Sequence, residues 1–354
     1  MSAVVVAGGG LAGSFLAIRL ARAGREVTLL ERTTRAAHKI CGEFLSIEAQ
    51  QYLAGIGFDL AGLGGHRIAE LRLVGRDRMV AVPLPFEGLG LTRRCLDEAL
   101  LRHAEDVGVC VRRGEMVTGT QGIDFLATGK HDLRDARRLC ETPEDLVGFK
   151  MYFRLTAPQT LALQHAVDVV LFADGYAGLQ LVEGEQANLC LLVQRHRLAA
   201  VGGRWEALLA SLLGESAHLR IKLEGAVELL ERPLTIARVP YGFVHRPEPA
   251  DAVYRLGDQA CVIPSFAGDG MALALHSAAL AASCFLSGHS AFAYHQALAR
   301  DVGPPIAWAM ALYRLGRGEP GRSLLLHAAR LWPGLIRLAA THTRVPQHAL
   351  LHAA

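Results

Sequence analysis

The chain has 354 residues, more than the roughly 250–300 at which a single hydrophobic core stops growing, so two structural lobes are expected. With 51% hydrophobic and 20% charged residues it belongs to the folded globular class and not to the disordered one. Basic residues exceed acidic ones by 37 − 34 = 3, too few to neutralise a run of phosphates; this excludes electrostatically driven nucleic-acid binding and points to a small, largely uncharged partner.

Residues 3–7, AVVVA, form a short β-branched run bounded by glycine, the pattern of a strand buried on both faces of a parallel sheet. Over 11–23 small and apolar positions recur at helical spacing, and Gly24 stands where a C-terminal cap belongs. Residues 26–31 read as a second strand, completing a βαβ unit. Between about 42 and 90 glycine and proline are frequent and no periodicity is sustained, so connection plus a piece of the second lobe is expected. Residues 93–107 read as an amphipathic helix, 109–112 as a short strand and 123–128 as a buried one. Residues 148–155, 168–173 and 187–193 read as a second sheet, 204–214 as helix, 235–245 as extended chain and 252–256 as a strand returning to the first lobe. After 301 the pattern is helical, with breaks expected at Pro304 and Pro305, over 316–321 and at Pro333.

The stretch AGGGLAG places Gly8, Gly10 and Gly13 in GxGxxG order between the first strand and the first helix. The first glycine permits a tight turn, the second lets a pyrophosphate approach the backbone, and the third lets helix and strand pack closely. Phosphate then meets free amides at the positive end of a helix dipole. Glu31, 18 residues after Gly13, ends the second strand where a carboxylate can accept hydrogen bonds from ribose hydroxyls. The plainer alternative is a glycine-rich turn that only packs. A second literal match, Gly316, Gly318 and Gly321, follows a helical pattern and contains Pro320, which lacks an amide that phosphate would need; a single dinucleotide fold is therefore expected.

Residues 8–32, GGGLAGSFLAIRLARAGREVTLLER, resemble the FAD-binding start of flavoprotein monooxygenases of the p-hydroxybenzoate hydroxylase type and of the related geranylgeranyl reductases. Further along, Gly257 and Asp258 close YRLGD, and PSFAGDGM leads into a helix, similar to those families' Gly-Asp pair and the helix that points its N-terminus at the flavin. KICGEFLS, residues 39–46, is similar to the segment that passes beside the flavin, and Arg93 to an arginine kept near the cofactor. The resemblance implies an α/β fold with a Rossmann-type FAD-binding domain over 1–75, 91–147 and 252–300, an interleaved β-sheet substrate domain over 76–90 and 148–251, and a helical region over 301–354. It implies FAD contacts at Gly8, Gly10, Ala12, Gly13, Glu31, Arg32, Lys39, Cys41, Gly42, Arg93, Val117, Thr128, Gly129, Gly257, Asp258, Pro264, Gly268, Gly270 and Met271. Asp174 and Gly175 imitate an Asp-Gly dipeptide of the monooxygenases, but the interval back from Gly257 fits 126–131 better, and 175–179 is taken as a substrate-lobe segment facing the flavin. Relatives carry a three-stranded meander where only ten residues separate Gly114 from Phe125, so the meander is expected to be missing.

Seven cysteines, odd in number and never in a CxxC pair, argue against a disulfide framework and a structural zinc, and point to a reducing, cytoplasmic setting. The opening residues lack signal-peptide features, and no apolar run is long enough to span a membrane. No HExxH, two-His-one-carboxylate spacing or Cys/His cluster is present, so no metal site is expected; His276 reads as packed, and GxSxG and Walker motifs are absent. The amphipathic stretch 323–340 reads as a packed helix pair, with peripheral membrane contact as the alternative.

The resemblance thus implies an FAD-dependent monooxygenase using NAD(P)H and dioxygen on a hydrophobic, aromatic or polyketide-like molecule, with the apolar composition supplying a dry pocket. Cys41, His131 and Tyr176 are the titratable groups expected nearest the flavin ring. The alternative it implies is a geranylgeranyl-type reductase, in which Cys41 protonates an isoprenoid carbon.

Overall fold

The structure, a computed structural model, describes residues 3–75, 78–138, 145–332 and 334–350. Strand β1 (Val4–Ala7), helix α1 (Leu11–Arg22) and strand β2 (Val27–Glu31) form the expected βαβ unit. The short β3 (Phe44–Leu45) and α2 (Ile47–Gly55) precede a long hairpin, β4 (His66–Val74) and β5 (Met79–Gly90). Helix α3 (Arg93–Asp106) leads to β6 (Cys110–Arg113), and β7 (Phe125–Leu126) returns to the first sheet. The second stretch runs β8 (Leu146–Arg154), α4 (Ala157–Leu163), β9 (His165–Phe172), β10 (Gly175–Leu181), β11 (Ala187–Gln194), α5 (Arg195–Ala200), α6 (Trp205–Glu215), α7 (Ala217–Leu223), β12 (Val227–Glu228) and β13 (Leu234–Ala237). Strand β14 (Tyr254–Arg255) is followed by α8 (Gly270–Leu286), α9 (Ala291–Arg317), α10 (Glu319–Leu331) and α11 (Gly334–His342).

These elements build two sheets. The first has five strands in the order β14-β7-β1-β2-β6, every pair parallel, with α1 packed between α3 and α8. The second runs β12-β8-β11-β10-β9-β4-β5-β3, with β13 also beside β8; its pairs are antiparallel except β4 with β9. The protein is thus a mixed α/β fold with a Rossmann-like parallel sheet. One core lies around the parallel sheet and the inner side of the second sheet, and another lies between the second sheet and α6 and α7, where Trp205, Leu208, Leu212 and Leu219 pack.

The stretch 42–90, expected to be connection plus a piece of the second lobe, holds α2 and two of the longest strands, and both β4 and β5 join the second sheet, which therefore takes in 66–74 as well as part of 76–90. Pro83 and Pro85 disguise β5, yet on the side away from β4 this strand is paired only at Leu89 and Gly90, and an edge tolerates residues without an N–H. Helix α9 does not break at Pro304 and Pro305; buried Ile306, Ala309, Met310 and Tyr313 hold it against the core through the two prolines. The expected break at Pro333 and the residue Cys140 lie outside the described residues, as do 141–144 of the first domain.

No strand occurs among the described residues between Arg113 and Phe125, as the shortened interval implies, and the six described cysteines are free. Among the described residues no helix is long and apolar enough to cross a membrane. The Asp174–Gly175 dipeptide lies at the tight turn between β9 and β10, with Asp174 at φ 59°, and the 316–321 match is a helix-to-helix junction.

Backbone packs directly on backbone at the start of α1. A Cβ on Gly13 would sit 1.9 Å from the Gly8 carbonyl oxygen, and one on Gly8, at φ +111°, would sit 2.3 Å from the Ala127 oxygen. Gly24 also has a positive φ but meets nothing within 4 Å. Gly13→Ala is therefore expected to cost about 3 kcal/mol or more by overpacking, whereas Gly24→Ala costs about 1–2 kcal/mol from left-handed backbone strain alone. Denaturant unfolding of the two variants checks this; equal losses would contradict it.

Candidate functional site

Four parallel strands of the first sheet end on one rim. Gly8 to Gly10 follow β1, Glu31 and Arg32 end β2, Thr128 and Gly129 follow β7, and Gly257 and Asp258 follow β14. In open α/β sheets, ligands bind outside these carboxyl ends. Helix α1 opens here with Gly10 at its N-cap, no side-chain cap and no acidic residue in its first turn, so its first amides and its positive dipole end face the rim. A Cβ on Gly10 would lie 3.5 Å from the Arg93 Nη2 and 3.6 Å from the Lys39 Nζ. An uncapped helix start flanked by two cations is a site for an anion.

Those cations are held by Asp97, buried on α3: it receives Arg93 Nε at 2.7 Å and Nη2 at 2.9 Å, and Lys39 Nζ at 2.7 Å. Burial alone would raise the Asp97 pKa, but Arg93 and Lys39 hold it below the usual carboxylate range. Burial likewise opposes the Arg93 charge, yet Asp97 above all, with Cys41 and Asp258, holds its pKa above the ordinary value.

Glu31 is buried, accepting from the Gly9 N–H at 2.8 Å and from the Thr33 N–H and hydroxyl at 2.9 and 2.7 Å. A carboxylate has about four acceptor positions, so one remains for a ribose hydroxyl. At the other end Gly257, at φ +56°, packs against both α1 and α8: a Cβ there would lie 3.6 Å from that of Ala12 and 3.5 Å from that of Ala274. Asp258 is half-buried, and its carboxylate has no hydrogen-bond partner among the described residues, while Arg138 donates to its backbone carbonyl at 3.0 Å. Gln259 ties this turn to the carbonyls of Gly129 and His131 at 2.7 and 3.0 Å.

Residues 39–43 are strapped to the second sheet. Lys150, fully buried in the middle of β8, pairs with buried Glu43 at 2.6 Å and donates to the Lys39 carbonyl at 3.0 Å. The Tyr152 hydroxyl donates to Glu43 at 2.8 Å, Asn188 donates to the Gly42 carbonyl at 2.9 Å, and Gln180 to the Glu43 carbonyl at 2.8 Å. Burial pushes the Glu43 carboxyl up despite the ammonium beside it. Phe44, next in line, faces Gly268, whose Cβ would approach its ring to 3.1 Å, so 39–46 runs alongside the 264–271 segment that opens α8. Pro264 and Met271 are buried there, and Gly268 takes φ +74°.

The expected ring neighbours separate. Cys41 is half-buried in the strap, with its sulfur accepting the Glu43 N–H at 3.3 Å. Tyr176 is buried on β10 and hydrogen-bonds Ser265 of the 264–271 segment and, at 2.7 Å, Tyr241; Tyr241 and Ser265 are 2.6 Å apart. Burial raises the Tyr176 pKa and pushes Tyr241 up to about 12, so both phenols stay protonated at neutral pH. His131, by contrast, is exposed and meets the Arg32 guanidinium at 2.8 Å, at the Glu31 end of the rim. Val117 packs against the cluster of Ala7, Leu126, Leu133 and Ala136. His276 is buried and satisfied between the Tyr52 hydroxyl at 2.9 Å and Asp301 at 3.0 Å.

Sequence reasoning missed Glu43, Asp97, Lys150, Tyr152, Asn188, Gln180 and Tyr241. Lys150 left a trace, a lone charge inside an apolar strand run; the others left none. The residues present suit an extended dinucleotide bearing a diphosphate, with carboxylate acceptors at Glu31 and Asp258 and the cations Lys39 and Arg93 beside the helix start between them.

Residues 6–64 match the family described as an NAD(P)-binding Rossmann-like domain. The chain is 32% identical over 122 residues to a flavin-dependent halogenase, armH1, of Armillaria mellea, and 36% identical over 110 residues to a menaquinone reductase of Mycobacterium tuberculosis. These matches cover 32% and 30% of this chain but only 23% and 27% of the two relatives. In fold it is similar to the flavin-dependent brominase Bmp2, with a TM-score of 0.76 and 16% identity over 95% of this chain and 92% of that one.

Lys150→Met leaves Glu43 as an uncompensated buried charge and is expected to cost about 3–5 kcal/mol, of which Lys150→Met with Glu43→Gln recovers part. Denaturant unfolding of both variants checks this; a double variant no more stable than the single one would contradict it. Because the folded Asp97 pKa lies below the unfolded one, its stabilisation is full above about pH 4 and is lost as pH falls through the folded value. Asp97→Asn should therefore destabilise at pH 7 and progressively less below pH about 4, as read by thermal unfolding across pH.

Proposed function

We propose that this protein is an FAD-dependent oxidoreductase of the monooxygenase type, taking electrons from NAD(P)H and acting with dioxygen on a hydrophobic small molecule of aromatic or polyketide-like class. One observation carries the reading: the Gly257–Asp258 turn packs on Ala12 in the first turn of α1, and Gly10, at the N-cap of that helix, lies beside Arg93 and Lys39. A rim with a carboxylate for sugar hydroxyls at each end and cations between them suits a dinucleotide stretched from Glu31 to Asp258.

Glu31 and Arg32 would hold the adenosine end. The first amides of α1, from Gly10 to Gly13, with Lys39 and Arg93, would hold the diphosphate, and Asp258 the ribityl chain. Cys41, Gly42 and the 264–271 segment would flank the ring. When bound, FAD supplies two-electron transfer from NAD(P)H and, once reduced, reaction with dioxygen. The amides that open α8 offset negative charge at the ring edge beside them. Tyr176 and Tyr241, kept neutral by burial, offer O–H donors to a substrate oxygen and bring no charge into the apolar core that surrounds them. That core excludes water, as oxygen chemistry on an apolar substrate requires. The likeness to a flavin-dependent halogenase and a flavin-dependent brominase supports a flavin enzyme.

A second reading, saturation of an isoprenoid double bond, is favoured by the similarity to menaquinone reductase and by the half-buried thiol of Cys41 in the strap, a proton donor for such a step. The two separate in an oxygen electrode. The monooxygenase reading predicts NAD(P)H-driven oxygen uptake stimulated by members of an aromatic and polyketide panel, with one oxygen atom entering the product. Anaerobic saturation of a short-chain menaquinone would overturn it in favour of the reductase. Arg93→Met should weaken FAD binding about 10–100-fold, the loss of one charge-assisted contact to phosphate, as read by fluorescence titration of the flavin-free chain; unchanged affinity would contradict the assigned diphosphate position.

A further inference from the structure

Away from the rim, three side chains from separate parts of the chain converge: His245, Asp251 just before β14, and His295 in the first turns of α9. One donor atom from each lies within 4.8 Å of the other two. His245 Nε2 and an Asp251 carboxylate oxygen are 3.0 Å apart, close to the edge of a tetrahedron whose centre sits roughly 2.0–2.2 Å from each ligand. We propose that His245, Asp251 and His295 form a zinc-class divalent-cation site.

The orientation of His295 argues for a ligand beyond mutual hydrogen bonding. It is 2% exposed; its Nε2 lies 3.2 Å from the Val253 carbonyl and, at the longer distance of 3.5 Å, from the Arg255 backbone N–H, so the shorter contact favours the tautomer in which Nε2–H donates to Val253; its Nδ1 is buried with no partner among the described residues. Metal-binding imidazoles characteristically donate one N–H to a carbonyl, which fixes the ring and leaves the other nitrogen's lone pair for the metal. A buried nitrogen without a partner is costly in any other role. Asp251 is held in a similar way, accepting the Glu248 N–H at 2.9 Å, and the His245 backbone donates to the Ala260 carbonyl at 2.7 Å. All three ligands are therefore positioned by the fold around them.

Two neutral imidazoles and one carboxylate form a borderline N/O donor set that suits zinc better than calcium or magnesium, with a fourth position for water. A bound ion would clip the 245–251 segment to α9 beside β14, the strand that ends two residues before Gly257. The interval of six residues from His245 to Asp251 and 44 more to His295 matches no compact ligand motif, which is why spacing alone gives no sign of it.

The test uses the full-length purified chain, treated with EDTA and retitrated with zinc chloride by calorimetry, with metal content read by mass spectrometry and flavin content read separately by absorbance. Metal and flavin are thus scored independently. The expected result is one zinc per chain, a rise in melting temperature on zinc addition, and at least a tenfold loss of zinc affinity in His245→Asn and in Asp251→Asn, with His289→Asn unchanged. His295→Asn, fully buried, is included only if its circular dichroism matches the native chain; the other two positions are each 15% exposed and keep the test valid without it. A native chain that takes up no zinc, or folded His245 and Asp251 variants that bind it as tightly as the native chain, would overturn the proposal.

Discussion

The close approach of helix α1 to the first strand is the constraint on which the rest depends. Only glycine at 8 and 13 lets backbone meet backbone at these distances, and this contact presents the first amides of α1 at the strand ends without a capping side chain. Everything chemically distinctive about the rim is arranged around that helix start. Arg93 and Lys39 flank it, Asp97 keeps both cations in place from beneath, and the Gly257 turn, far away in sequence, packs on its side. Larger residues at either glycine would push the helix off the strand and separate these groups.

The second lobe is joined to the rim by polar chemistry that the interior could not otherwise tolerate. Glu43 and Lys150 are both fully buried, and such a pair survives only because the remaining donors and acceptors are met by Tyr152, the Arg93 amide and the Lys39 carbonyl. The result is a segment, 39–43, pinned across two sheets beside the helix that follows Ser265. Elsewhere the chemistry is the opposite: Tyr176 on β10 and Tyr241 in the turn after β13 are held neutral by burial. A charged, hydrogen-bonded frame on one side and uncharged hydroxyls on the other suit a cofactor gripped through polar groups and a substrate recognised mainly through apolar ones.

Legibility in the sequence followed the range of the forces involved. The opening βαβ unit was readable because its signals are local: a β-branched run, glycines at fixed intervals and a helical period within one stretch. The pairing of Gly8–Gly13 with Gly257–Asp258 was readable only through a family resemblance, since nothing local joins them. Strand β5 was hidden because Pro83 and Pro85 look like breakers until its edge position is known, and α9 because tertiary packing carries it through two prolines. The contact of His131 with Arg32, 99 residues away in the chain, is set by loop geometry and left no sign in the sequence. Tyr241 and the His245, Asp251 and His295 cluster were invisible because their partners are distant in sequence and fit no spacing rule.

The most direct test of the central claim is a crystal structure of the chain grown with FAD. The account predicts an extended cofactor with its diphosphate at the first turn of α1 between Lys39 and Arg93, its ribityl chain at Asp258, and its ring between the 39–46 and 264–271 segments. A chain that takes up no FAD, or holds it with the diphosphate elsewhere, would contradict it.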